Sequence, residues 1–166
     1  RINLHNISTK VYPLSRKGIR DIANKIRKDF YLSADKSIDV VKFFEFSAPF
    51  LGFDFEIVED NEMKNNYAET DLNNNIIRIR ESVFLGAGDG NPRDRFTIIH
   101  EIGHFILHKN RVLLCRSDEK IRAFENPEWQ ANTFAAEFLV PYEKAVALSE
   151  MEIVEIFKVS KKVAEI

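Results

Sequence analysis

Apolar residues recur at three- and four-residue steps through the segment SRKGIRDIANKIRKDF. Ile19, Ile22, Ile26 and Phe30 therefore share one face of an amphipathic helix. The next apolar block, SIDVVKFFEFSAPFLG, predicts a second helix, disturbed by Pro49 and stopped at Gly52. The period then drops to two. FDFEIVED alternates apolar and acidic residues as a half-buried strand does. NNYAET and NIIRIRE predict two more strands, joined by the turn-forming run Asp71-Leu72-Asn73-Asn74-Asn75. GAGDGN is the one glycine-rich stretch and is expected to be the most mobile loop. From Asn91 the pattern is helical again, apart from a connection over residues 109–126. Two helices, a small sheet and then helices predict an α+β fold, with a small antiparallel or mixed sheet packed against helices.

Composition narrows this picture. The 166 residues are 45% hydrophobic, enough for one domain with a true core, and 14 Phe against 6 Gly argue against disorder. A formal charge of -2 implies no strong pull toward nucleic acid or an acidic membrane surface. Cys115 is the single cysteine, so an internal disulfide framework is ruled out and a reducing cytosol suits the chain. Its apolar neighbours predict a small buried side chain. No apolar run approaches the ~18 residues of a membrane helix. Residue 1 is Arg rather than Met, so the sequence is read as a single domain, 1–166, cut from a longer protein.

The chemistry concentrates in RFTIIHEIGHFILH, a nearly apolar stretch that holds three of the four histidines and a glutamate. Asn91-Pro92 starts its helix, with Asn as cap and Pro at the first position. Residues four apart lie on one face, so His100 and His104 can share one metal ion while Glu101 reaches a water beside it. This is the H-E-x-x-H pattern, with Zn2+ as the expected ion and Glu101 as general base. The bland alternative is a pair of core histidines satisfied by hydrogen bonds. Gly103 leaves room beside the metal for the close approach of another backbone.

Catalytic zinc needs a third protein ligand. His108 sits two turns beyond His100, about 12 Å along the axis, too far to share the ion. It is left to line the cleft or cap the helix end. ENPEWQANTFAAEFLVP offers a better donor. Asn126-Pro127 repeats the helix start, and Glu128 precedes the apolar stripe Ala131, Phe134, Ala135 and Phe138 on the inward face. Asn132, one turn on, is placed to support it as a second-layer amide. Glu137, nine residues after Glu128, is half a turn out of phase and should face away. Otherwise Glu128 is an ordinary first-turn acid favoured by the helix dipole.

FTIIHEIGHFILH followed by EWQANTFAAEFLVP resembles the ImmA/IrrE family of bacterial metallopeptidases. The resemblance implies zinc held by His100, His104 and Glu128, the last as in gluzincins, with Glu101 as base. It implies a cytoplasmic protease whose protein substrates are helix-turn-helix transcriptional repressors, with no direct nucleic-acid contact by this domain and no membrane. Val140 stands where Met is common, and the chain stops at Ile166 where another helical turn normally follows. An oxyanion donor is also needed; His108, Tyr67 and Tyr142 are the candidates. One strand of the predicted pair would align an extended substrate. The alternative is a zinc-binding but inactive regulatory module, in which Glu101 would have no duty. EIVEIFKVSKKVAEI has helix-turn-helix cadence around Val159-Ser160, but without a basic recognition face it reads better as a structural helix pair.

Overall fold

A computed structural model of the chain describes residues 7–110, 112–116 and 120–166, of which residues 7, 8 and 112–116 are described by their backbone alone. In chain order the elements are β1 (Ile7–Val11), α1 (Arg16–Asp29), α2 (Val40–Leu51), β2 (Asp54–Val58), β3 (Ala68–Asp71), β4 (Ile76–Arg80), α3 (Glu81–Gly88), α4 (Pro92–His108), β5 (Val112–Arg116), α5 (Pro127–Leu139), α6 (Tyr142–Ala145), α7 (Glu150–Phe157) and α8 (Lys161–Ala164). The architecture is α+β. One sheet has the order β2-β4-β3 and is mixed: β2 runs parallel to β4 and β3 antiparallel to it. This leaves β3 on an edge. The second is a two-stranded antiparallel ribbon of β1 and β5, with Val11 opposite Val112.

The patterned segments fold as their periods dictate. α1 starts on Ser15, whose hydroxyl accepts from the Gly18 amide at 3.0 Å. Asp39 caps α2 in the same way, and Gly52 closes it in the left-handed conformation at φ 92°. Pro49 is accommodated in the last turn of α2, near the end where few hydrogen bonds depend on it. Two segments depart from their expected form. Gly86, Ala87 and Gly88, expected in a mobile loop, complete α3. Buried Val83 and Ala87 anchor that helix, and a Cβ at Gly86 would collide with the Asp94 carboxylate. The glycine there serves close packing against α4 rather than mobility. The connection after α4 contains β5, which finds its partner β1 about a hundred residues away; Cys115 lies in β5, and its side chain is outside the described residues.

α4 runs through the middle of the core. It packs on α5 and also on α2, α3 and β3. Ile98, Ile99 and Ile102 are fully buried, as are Phe134 and Phe138 of α5 and Ile77 and Ile79 of β4. Burying each such side chain is worth roughly 1.5–3 kcal/mol, so this interior dominates the stability. Gly103 sets the spacing of α4 and α5: a Cβ there would lie 2.9 Å from Phe134 Cδ1. The close neighbour is therefore an aromatic ring, not the backbone that the sequence suggested.

Buried Arg95 ties α4 to two distant segments. Its guanidinium donates to Ile38 O at 2.7 Å, Phe157 O at 3.2 Å and Lys158 O at 3.2 Å. The α7–α8 pair, which has the helix-turn-helix cadence, buries Phe157 and Val159 in the core and so acts as a structural closure.

Candidate metal centre

The donor set grows from α4 and α5. Asn91 and Asn126 cap these helices, Asn126 Oδ1 accepting from the amides of Glu128 at 2.9 Å and Trp129 at 3.2 Å. Proline follows each cap. Such starts fix the phase of both helices. On α4, one turn separates His100 and His104, and their Nε2 atoms come within 3.0 Å of each other. From α5, Glu128 places Oε2 3.1 Å from His100 Nε2 and Oε1 3.1 Å from His104 Nε2. The three form the metal-competent group of the described residues. Ligand bonds of about 2.0–2.1 Å in a tetrahedron put donor atoms about 3.3 Å apart, so a zinc ion fits this triangle with a slight opening. A cavity of about 420 Å³, lined in part by Thr70, Glu101, His104 and Glu128, opens beside this triangle.

The electrostatics suit a cation. Hydrogen bonds from His100, and next from His104, hold the Glu128 carboxyl well below the usual carboxylate range. Burial pushes His100 down, but the Glu128 hydrogen bond and the charges of Glu101 and Glu128 outweigh it, so its pKa is raised; a hydrogen bond with Asn132 adds to this. Two imidazoles and a carboxylate thus share a proton-rich pocket that an ion of charge +2 would compete for.

Glu101 is buried beside this triangle without belonging to it. Thr70, on edge strand β3, places its hydroxyl 2.6 Å from Glu101 Oε2 and 3.0 Å from the Glu101 carbonyl. The carboxylate, nearer and charged, is the stronger acceptor. That contact anchors one carboxylate oxygen to the strand.

The remaining sequence candidates separate. Asn132 joins His100, as noted. His108 is 1% exposed; its Nδ1 lies 2.9 Å from His104 Nδ1 and its Nε2 3.0 Å from Gln130 Oε1. It is enclosed between α4 and α5, behind the donor set, rather than facing the cavity. Burial first, and the like charge of His104 next, push its pKa down to about 4. Tyr67 precedes β3, with the guanidinium groups of Arg93 and Arg80 4.2 Å and 4.9 Å from its ring centre. Tyr142 lies under Arg20 at 3.5 Å, in a cavity shared with Arg16 and Glu137. That places it away from the donor set, because Glu137 does face away from the histidines. It faces into the protein nonetheless, 3% exposed against α1. Sequence reasoning missed Thr70 and Gln130. Neither carries a local signal, since both gain their meaning from contacts across the fold.

The fold and the donor triangle define a class: an α+β domain with a candidate His-His-Glu metal group in its central cleft. Residues 54–166 match the model of the IrrE N-terminal-like domain, a metallopeptidase family, and the chain belongs to that family. This range spans β2 to the C-terminus and includes both motifs that carry the ImmA/IrrE resemblance. A solved structure described as a Mycobacterium tuberculosis transcriptional regulator shares the fold, with a TM-score of 0.58 and 15% identity over 88% of this chain. The chain spans 44% of that protein's length. No curated protein sequence matches it. No helix among the described residues is long and apolar enough to cross a membrane.

Proposed function

We propose that residues 1–166 form one metallopeptidase domain, a zinc-dependent endopeptidase that cleaves a helix-turn-helix transcriptional repressor or a similar regulatory protein in the cytoplasm. The observation that carries this reading is the position of Glu101. It lines the same cavity as His104 and Glu128, yet it is left out of the donor triangle and is anchored through one oxygen by Thr70. A metal site that only stabilised the fold would have no use for it.

His100, His104 and Glu128 would hold Zn2+, which supplies Lewis acidity toward the scissile carbonyl and lowers the pKa of a water it holds. Thr70 keeps Glu101 Oε2 in place, so the remaining oxygen of Glu101 takes the proton from the attacking water and returns it to the leaving amine. The outer edge of β3, which no strand pairs among the described residues, offers backbone donors and acceptors to an extended peptide laid across the cavity. Asn66, Ala68 and Thr70 on and before that strand line the same space. Neither nucleic acid nor membrane enters this scheme.

The test combines metal analysis with cleavage of helix-turn-helix repressors encoded near the gene, products mapped by mass spectrometry. The wild type should hold about one zinc per chain and cut one of them. Glu101→Gln should keep zinc and fold while cutting about 10²–10⁴-fold more slowly. Equal cleavage by Glu101→Gln at equal zinc content would remove Glu101 from the role of base. A wild type without zinc would remove the metal.

A further inference from the structure

His104 can present a lone pair on Nε2 to an ion only if its proton sits on Nδ1. Resting on the zinc reading above, we propose that Gln130 and His108 are positioning residues that fix this tautomer, through a buried relay rooted in two backbone carbonyls.

The direction of each hydrogen bond follows from the far end. Gln130 is fully buried, and its Nε2 donates to Tyr12 O at 2.8 Å and to Phe124 O at 2.7 Å. Carbonyls only accept, so the amide cannot be flipped, and its Oε1 must face His108 Nε2 at 3.0 Å. An amide oxygen carries no proton, so His108 Nε2 does. A second proton on His108 would make it a cation enclosed at 1% exposure, with a neutral amide on one side and an imidazole on the other. Its Nδ1 is therefore an acceptor. His104 Nδ1, 2.9 Å away, must donate to it. Nδ1 of His104 thus keeps its proton, and Nε2, which meets His100 and Glu128, is the atom left to exchange a proton for an ion. The row of three histidines on α4 thus divides into two ligands and one orienting group. The roots of the relay lie after β1 and in the short 3-10 turn Ala123–Glu125, which are joined to each other by the Leu14 amide donating to Phe124 O at 3.1 Å.

The whole chain labelled with 15N-histidine tests this, by NMR for the tautomer and by chelator competition for zinc affinity. The zinc-free wild type should show His104 protonated on Nδ1. His108→Leu should lose that preference and weaken zinc binding about 10–100-fold, the usual effect of losing such a partner. His108→Asn, whose Oδ1 lies near the lost Nδ1, should restore most of both. A His104 with its proton on Nε2 and none on Nδ1 in the zinc-free wild type overturns the proposal without needing any variant to fold. So does wild-type affinity in His108→Leu, or a His108→Asn as weak as His108→Leu. A wild type with the Nδ1 proton but no zinc uptake would sink the zinc reading and leave the relay standing.

Discussion

The two ends of α5 carry the same arrangement with opposite outcomes. Near its start, Glu128 meets His100 and His104, four residues apart on α4, with both contacts at 3.1 Å. Near its finish, Glu137 meets Arg16 and Arg20, four residues apart on α1, at 2.8 and 2.9 Å. Each carboxylate bridges two basic groups on consecutive turns of a neighbouring helix. The Glu128 side chain is 67% exposed, however, and that of Glu137 3%. The partners also differ in kind. A guanidinium has only donors and keeps its charge, so the Glu137 cluster is complete and closed. An imidazole can give up its proton and offer a lone pair, so the Glu128 cluster can exchange protons for a metal ion. An acid between two bases becomes a fastening or a candidate site according to whether the bases can be emptied.

The largest expected effect separates the two ends by stability. Glu137→Ala leaves two arginines without their buried partner and should cost about 3 kcal/mol in urea unfolding of the zinc-free chain, the low end for a broken buried pair because both arginines reach solvent. Glu128→Ala should cost under about 1 kcal/mol in the same assay. Equal losses would mean that the two acids do the same work.

Zinc affinity should reverse the ranking. Glu128→Ala is expected to weaken binding by more than about 100-fold, beyond the usual loss for a residue outside the ligand shell, and Glu137→Ala to leave it unchanged. Chelator competition measures both. Retained affinity in Glu128→Ala would place the third ligand elsewhere.

Protons sharpen the contrast further. His108 takes up its proton at about 4 in the fold and at about 6.5 when unfolded. The unfolded chain therefore binds more protons between these values, and stability should fall as pH drops from 7 to 4.5, by about 2 kcal/mol from this group alone. His100 acts in the opposite sense. Its raised pKa gives the zinc-free fold stability that is present below 6.5 and lost as pH rises through the folded value. In zinc-free unfolding curves, His108→Asn should remove much of the acid-side loss. An unchanged curve would show that His108 is not the group responsible.

The smallest effect concerns the third acid. Glu101 leans on the Thr70 hydroxyl, so Thr70→Val should cost about 1 kcal/mol of stability and lower cleavage while leaving zinc affinity intact. Lost zinc in that variant would show that β3 supports the ligands as well as the base.

Periodicity revealed most of the helical fold, and spacing singled out His100, His104 and Glu128, which the fold brings together as a candidate metal group. The i, i+4 pair of His100 and His104 lies on one face by helix geometry alone, and the phase difference between Glu128 and Glu137 follows from 3.6 residues per turn. The strands β2, β3 and β4 were legible in their alternation, but not the parallel pairing of β2 with β4. β1 and β5 went unseen, since neither has a pattern strong enough to announce a partner so far along the chain. GAGDGN misled because glycine serves close packing as well as turns, and only the neighbouring Asp94 shows which.

By itself, then, the sequence determined which residue types sit on which helix face, because backbone geometry sets those phases locally. It could say that Glu137 points away from His100 and His104, but not that it is buried between Arg16 and Arg20. It could set His108 aside as a ligand, but not join it to Gln130 and from there to the carbonyls of Tyr12 and Phe124. It gave no hint that Thr70 would meet Glu101. These were decided by tertiary structure, because a hydrogen bond depends on ångström distances between side chains that no local period controls.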